Sequence, residues 1–149
     1  MATIDDLKKM RLGKLAKLKK TGADPYPGTI IRNHTIAKAR TLTGKDAAIA
    51  GRVMGVRGHG KIFFLDLVDG TGKIQVVLKS DVCSAKAFTL TSCMDLGDFL
   101  AVQGEVGNTQ AGERSIFAKN FQIISKAVRP LPGEWSGLKD IEERYRQRY

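Results

Sequence analysis

Five short runs rich in β-branched and aromatic residues follow one another through the middle of the chain, with glycine-containing turns between them. Residues 69–72, between the second and third runs, have the sequence Asp-Gly-Thr-Gly, which is typical of a tight hairpin turn. Residues 80–92, between the third and fourth runs, have a helical composition with Ser80 as the predicted N-cap. The pattern therefore predicts three strands, a helix and two further strands. The predicted strands are residues 47–57, 61–68, 73–79, 98–106 and 114–124.

This order of elements is that of an OB-fold, a five-stranded Greek-key barrel that binds oligonucleotides. Glycines within the predicted strands suit the sharp coiling and bulges of such a barrel: Gly51, Gly55 and Gly104. A chain of 149 residues is long enough for one domain of this kind with a real core. We therefore predict an all-β core with helices, in which an OB-fold barrel over residues 25–125 is preceded by an N-terminal α-helix.

The first 24 residues form a basic segment with a predicted helix at residues 4–20. Two aspartates lie near the start of this helix and lysines near its end, as the helix dipole favours. The first 20 residues hold seven basic and two acidic side chains, so their net charge is +5, which is half of the net charge of +10 of the whole chain. Two interpretations stay open: a solvated helix docked on the domain, or a basic arm along a phosphate backbone. The candidate backbone contacts are Lys8, Lys9, Arg11, Lys14 and Lys17.

Alternation along the second and third strands places an aromatic ring beside an amide. One face carries the apolar residues of both strands, which leaves Phe64 and Gln75 on the outer face, with Lys61 and Lys73 nearby. A ring can stack on an unpaired base, an amide can bond its edge, and lysines can hold phosphates. The alternative is that Phe64 covers an end of the barrel or packs under the N-terminal helix.

Other chemistries find little support in the sequence. Residues 55–61 match the start of a phosphate-binding P-loop, but Ile62 replaces the required Ser or Thr and a predicted strand follows. The two histidines are far apart and lack metal-ligand spacing, and the two cysteines are interpreted as reduced thiols. No apolar run indicates a membrane span or a signal peptide, so we expect a cytoplasmic protein. The residues alone indicate a binding module for a polyanion, most often nucleic acid, with no catalytic or metal site.

Several stretches, spread over nearly the whole chain, resemble the N-terminal anticodon-binding region of class II lysyl-tRNA synthetases. Three of these stretches, at residues 129–132, 135–138 and 143–149, together separate the lysyl enzymes from the related aspartyl and asparaginyl ones. The stretches are PYP at 25–27, RNH at 32–34, AGRVM at 50–54, Arg57 with GK at 60–61, DLGD at 95–98, GE at 112–113, RPLP at 129–132, WSGL at 135–138 and ERYRQRY at 143–149.

The resemblance implies a partner and a role for each site residue. The domain would grip the anticodon stem-loop of tRNA-Lys, whose anticodon is rich in uridine. Phe64 would stack on the middle uridine, while Arg57 and Gln75 would hydrogen-bond that base. Glu113 would help to bind the third anticodon base, and His59 is a weaker candidate for the first. The chain departs from the family at Gly107 and Arg114, where an aromatic and an apolar residue are usual.

The resemblance also implies that residues 126–149 are a linker and the start of a catalytic domain, with Trp135 as an anchor. In the family that domain uses ATP and Mg²⁺ to attach lysine. The resemblance implies that this chain holds no cofactor of its own and is inactive alone, and that its parent would be a lysine–tRNA ligase. Full-length members are homodimers, and a monomer is compatible with this chain by itself. Two other functions remain: a general single-strand-binding OB protein, and a scaffold domain whose barrel binds no RNA.

Overall fold

The computed structural model describes residues 3–131 and 141–147. Most of the described chain lies in five strands, with a long helix before them and shorter helical turns between them. The helices are α1 (Ile4–Lys20), α2 (Ile36–Ala39), α3 (Ala85–Thr89) and α4 (Ile141–Gln147), with a 3₁₀ turn at Leu90–Cys93. The strands are β1 (Asp46–His59), β2 (Ile62–Asp69), β3 (Gly72–Lys79), β4 (Phe99–Asn108) and β5 (Arg114–Ser125).

The five strands close into a barrel in the order β1-β2-β3-β5-β4. Every pairing is antiparallel except that of β3 with β5, which is parallel. This arrangement confirms the predicted five-stranded OB-fold barrel preceded by a helix.

The interior of the barrel follows the predicted alternation. Leu65 and Leu67 of β2 and Ile74, Val76 and Leu78 of β3 are completely buried, and they pack with apolar residues of the other strands. Burial of such side chains supplies most of the favourable free energy of folding, at roughly 25 cal/mol per Å² of apolar surface. The apolar alternation of β2 and β3 therefore sets which face of each strand remains available for a ligand.

Gly104 lets β4 and β5 approach at the point where their register shifts. A β-carbon at this position would run into the backbone carbonyl of Phe117 and would lie 2.8 Å from Cα of Ala118. Only glycine fits such a contact without moving the backbone, which explains why a glycine stands inside a buried strand.

Two short helical elements differ from the predictions. The predicted N-cap at Ser80 is wrong: residues 80–83 form a turn, and Ser84 caps α3 by accepting a hydrogen bond from the amide of Ala87. Cys83, at the end of this turn, is buried in the core. The one-turn helix α2 was not predicted from the sequence, and it buries Ile36. One turn is too short to show a helical period in a sequence.

Helix α1 has the predicted bounds and is docked on the barrel. A reciprocal capping box between Thr3 and Asp6 begins it. Leu18 is completely buried, and the 3.0 Å hydrogen bonds of Arg11 Nη1 to the carbonyls of Ala127 and Arg129 leave that side chain 7% exposed. This placement corrects the prediction that Arg11 contacts phosphate, because its buried guanidinium donates hydrogen bonds to carbonyls of the chain itself.

The other basic residues of α1 are placed differently. Lys14 donates to Asp95 at 2.5 Å, and Lys17 donates to the hydroxyl of Ser92 at 3.1 Å. Lys8 is half-buried and Lys9 is exposed. The docked-helix interpretation therefore holds for one face of α1, while Lys8, Lys9 and Lys17 remain on its accessible side.

A buried ion cluster joins the segment after β5 to the loop before β4. Lys126 Nζ donates to Asp95 at 2.6 Å and to both carboxylate oxygens of Asp98 at 2.8 and 3.1 Å. The side chains of Lys126 and Asp98 are fully buried. The amide of Ala127 adds a 2.8 Å bond to Asp98. Residues 126–131 therefore pack back on the barrel, whereas Trp135, the predicted anchor, lies outside the described residues.

Asp95 makes the stability of this cluster depend on pH. Burial raises the pKa of Asp95, but the hydrogen bonds and charges of Lys126 and Lys14 outweigh burial, so the pKa lies below its ordinary value of 3.8. A carboxyl whose pKa falls on folding stabilises the fold above its unfolded-state pKa, and loses that effect as pH falls through its folded-state pKa.

We expect the chain to be more stable than its Asp95→Asn variant at pH 7, because only the carboxylate attracts both lysines. The difference should begin to narrow below about pH 4, where the carboxylate becomes protonated in the unfolded state, and should be lost only below the lower folded-state pKa of Asp95. Urea denaturation of both proteins at neutral and acid pH measures the difference. An equal difference at the two pH values would contradict this role of Asp95.

Candidate nucleic-acid interface

The outer faces of β1, β2, β3 and β5 form one continuous surface, because the strand register brings their outward residues into rows. One row crosses the barrel through Arg57, Phe64, Val77 and Phe117, since each is paired with the next. The neighbouring row runs through Gly55, Asp66, Gln75 and Ser115. Phe64 and Gln75 are therefore diagonal neighbours on adjacent strands.

A groove of about 650 Å³ lies over these rows. Apolar side chains of the first row form its floor, and Val77 is only 2% exposed although its position faces outward. Charged and polar groups line the edges, on the strands and on the loop between β4 and β5. The lining residues are Arg57, Ile62, Phe64, Gln75, Val77, Lys79, Asn108, Thr109, Gln110, Ala111, Glu113 and Phe117.

Phe117 and Lys79 belong to this groove, yet the sequence did not single them out. Lys79 Nζ lies 5.9 Å from the centre of the Phe117 ring, within the range of a cation–π contact. Their meeting depends on the parallel pairing of β3 with β5, which joins segments about 40 residues apart. No local pattern in the sequence carries that pairing.

Two cationic side chains meet at Asp66, which lies beside the groove in the same row as Gln75. Arg57 Nη2 lies 3.3 Å from one oxygen of this carboxylate, and Lys73 Nζ lies 3.4 Å from the other. Gly55 leaves room for Asp66, since a β-carbon there would be 2.6 Å from Oδ2. Arg57 is 63% exposed. Its guanidinium is therefore oriented by one carboxylate while its remaining N–H groups stay available to a ligand.

The loop between β4 and β5 holds Glu113 at the mouth of the groove. The amide of Glu113 donates to the Thr109 hydroxyl at 3.2 Å, and its carbonyl accepts from the Thr109 amide at 2.9 Å. These bonds close the loop and leave the Glu113 side chain exposed. The structure thus brings Arg57, Phe64, Gln75 and Glu113, four of the five predicted anticodon contacts, around one groove.

Gly107 and Arg114, the two positions where the sequence is expected to depart from the family that it resembles, flank this loop, and each has a local partner. The ring of Phe117 lies against Gly107, 3.1 Å from where a β-carbon would be, so Phe117 occupies the space beside that position. Arg114 donates a hydrogen bond to the hydroxyl of Thr43.

The remaining predicted residues lie at the hairpin between β1 and β2. His59 ends β1, where its backbone pairs with Ile62, and its side chain is not among those described. Lys61 is exposed in the turn. Gly58 has φ +103° and a β-carbon there would lie 2.5 Å from the carbonyl of Ile62, so glycine is required. The segment 55–61 is a β-hairpin, which confirms that it is not a P-loop.

The family model for the tRNA anti-codon domain, described as an OB-fold nucleic acid binding domain, matches residues 47–124. The chain belongs to this family. The match covers all but the outermost residues of the five-stranded barrel, and it includes every strand residue that lines the groove.

Relatives of this anticodon-type OB domain are lysine–tRNA ligases. The chain is 42% identical over 150 residues to that of Carboxydothermus hydrogenoformans, which covers 98% of this chain and 31% of the relative. It is 44% identical over 150 residues to the lysine–tRNA ligase of Syntrophomonas wolfei, a match that covers 98% of this chain and 30% of the relative. It is 42% identical over 144 residues to the lysine–tRNA ligase of Clostridium perfringens, a match that covers 93% of this chain and 29% of the relative. These matches confirm the resemblance to lysyl-tRNA synthetases, and the chain spans about a third of the length of these curated relatives.

Within residues 3–131 and 141–147, no three His, Cys, Asp or Glu side chains are grouped so as to hold a metal ion. Cys83 and Cys93 are free and buried, and burial raises the pKa of the Cys83 thiol. In the same ranges, no helix has both the length and the apolar character needed to cross a bilayer.

Proposed function

We propose that this domain binds the anticodon stem-loop of tRNA-Lys and recognises its uridine-rich anticodon, as part of a class II lysyl-tRNA synthetase. The observation that carries the proposal is the arrangement of Arg57, Phe64 and Gln75 around one groove on the outer face of an OB-fold barrel. An aromatic ring, a guanidinium and a carboxamide in that arrangement suit a single unpaired base.

In this proposal the middle base stacks on Phe64 and its edge faces Gln75 and Arg57. Stacking supplies affinity without regard to base identity, because every base has a π-face. The N–H groups of Arg57 and the amide of Gln75 supply selectivity, because they bond only to a base with matching acceptors and donors.

Glu113 contributes at the mouth of the groove in the same proposal. Its carboxylate accepts hydrogen bonds only, and uracil carries an N3–H donor that can meet it. The resemblance to lysyl-tRNA synthetases is what assigns this contact to the third anticodon base. The predicted contact of His59 with the first base stays a prediction.

Accessible lysines provide contacts to phosphate. Lys61 and Lys73 flank the groove, and Lys8, Lys9 and Lys17 lie on the accessible side of α1. Such contacts position an RNA without specifying its sequence.

Attachment of lysine, with ATP and Mg²⁺, belongs in this proposal to parts of the synthetase outside the matched third. The described residues contain no group suited to a metal, and we assign no step of that reaction to them. Homodimerisation and a cytoplasmic location are likewise properties proposed for the whole synthetase.

Fluorescence anisotropy with two labelled anticodon stem-loops tests the proposal. One loop carries UUU and its twin carries a cytosine at the middle position. We expect a preference for UUU of about 5- to 150-fold, the effect of one mispaired base contact of about 1–3 kcal/mol. Equal binding of both loops would make the domain a general single-strand binder, and no binding of either would favour a scaffold.

A further inference from the structure

We infer that Ser115 is a specificity-determining residue, which holds the Gln75 amide in the orientation that accepts uracil and rejects cytosine. The inference rests on the proposed function and deepens it. Ser115 acts through Gln75, so it is a positioning residue that need not touch the RNA.

The hydrogen bonds of Ser115 point its hydroxyl at Gln75. Ser115 on β5 is fully buried and pairs with Gln75 on β3 in the parallel register. Its Oγ lies 2.9 Å from Oε1 of Gln75 and 3.2 Å from the carbonyl oxygen of Glu113. That carbonyl already accepts the 2.9 Å bond from the Thr109 amide. A carbonyl oxygen can accept two hydrogen bonds, but the Ser115 hydroxyl has one proton and Oε1 is its nearer acceptor, so Ser115 donates to the acceptor end of the Gln75 amide.

The other end of the Gln75 amide faces the groove. Gln75 lines the groove, and within the described part of the chain its side chain makes no hydrogen bond besides the one from Ser115. Asp66, its partner across β2 and β3, is engaged by Arg57 and Lys73 instead. The Nε2 donor of Gln75 is therefore offered to whatever stacks on Phe64.

The orientation of a carboxamide decides which pyrimidine it accepts. A free glutamine presents a donor and an acceptor side by side and can turn over, so it can pair with either base. At one position of the ring uracil carries the O4 acceptor, where cytosine carries the N4 amino donor. An amide held with Nε2 toward the base suits O4 and opposes the amino group. Because Ser115 fixes the orientation of the Gln75 amide, the amide accepts uracil and disfavours cytosine instead of pairing with either base.

The test compares the 149-residue chain with its Ser115→Ala variant in anisotropy titrations of the UUU loop and its middle-cytosine twin. We expect the preference for UUU to fall at least fivefold in the variant, mainly because the cytosine loop binds more tightly. Ser92→Ala, which removes a hydroxyl from the far side of the barrel near α1, is the matched control and should keep the preference of the unaltered chain.

Each outcome decides the matter. An unchanged preference in Ser115→Ala, or an equal loss of affinity for both loops, overturns the inference while leaving the proposed function standing. An unaltered chain that does not distinguish the loops overturns both. A second variant, Gln75→Glu, replaces the donor by an acceptor and should lose the preference for UUU, since a carboxylate accepts from N4 of cytosine as well as from N3–H of uracil. A retained preference for UUU in Gln75→Glu would also overturn the inference.

Discussion

Replacing Lys126 by methionine should lower the free energy of unfolding by about 3–5 kcal/mol, because removing one partner of a buried ion pair leaves an uncompensated buried charge. Lys126 and Asp98 are both fully buried, and Asp95 is only 12% exposed. Methionine has a similar length and no charge, so the two carboxylates would face each other without the ammonium between them. A domain of this size has about 5–15 kcal/mol of stability in total, so the loss would be a large part of it.

Urea denaturation at pH 7 measures the loss, with Lys119→Met as the matched control. Lys119 also bonds a carboxylate at 2.7 and 2.9 Å, but it and its partner Asp46 are 52% and 66% exposed. An exposed pair contributes little to stability, because water and salt screen its charges. If Lys126→Met lost no more stability than Lys119→Met, the cluster would not be what fastens residues 126–131 to the barrel.

The importance of Lys126 could not have been predicted from the sequence. Charge counting treats it like the other lysines, and its neighbour Asp98 is 28 residues away. Its burial arises only when the segment after β5 returns across the loop before β4. Arg11 was also misjudged from the sequence. As a basic residue in a basic helix it was expected to face RNA, but it donates to two carbonyls of the segment after β5.

Most of the fold was predictable because its signals are local. The alternation in β2 and β3 shows in stretches of eight residues, and it identified the buried and outer faces of both strands correctly. Phe64 and Gln75 followed as neighbours because a short turn joins their strands. Helix α2 and the start of α3 escaped prediction because their one or two turns leave no periodic pattern.

The rest of the groove required the three-dimensional register. Phe117, Ser115 and the 108–113 loop reach Gln75 only through the parallel pairing of β3 with β5. A one-residue slip in that pairing would turn Ser115 and Phe117 to the opposite face. Phe117 and the Ser115 hydroxyl were therefore not predictable from the sequence, whereas Phe64 and Gln75 were, and Glu113 was predicted from the family resemblance.

Phe64→Ala should weaken binding of the UUU loop by about 1–3 kcal/mol, or roughly 5- to 150-fold, because each base stacked on an aromatic ring contributes that much. The ring lies in the floor of the groove, where alanine would leave the base without a surface to rest on. Anisotropy titrations measure the change, and Phe64→Tyr, which keeps the ring, should bind like the unaltered chain. Phe99→Ala is the matched control, because Phe99 is a 40% exposed ring that stacks with Arg52 outside the groove.

Phe64→Ala should change the affinity for both loops, whereas Ser115→Ala should change the preference between them. This contrast distinguishes base stacking from recognition of the base edge. Stacking is indifferent to base identity, so Phe64→Ala should weaken the UUU loop and its cytosine twin by the same factor and leave their ratio intact. Ser115→Ala should change the ratio while Phe64 still holds either base. If Phe64→Ala bound both loops as tightly as the unaltered chain but unfolded at a lower temperature, then Phe64 would only cover the barrel. A change in ratio alone on removal of Phe64 would mean that the ring also orients the base edge toward Gln75.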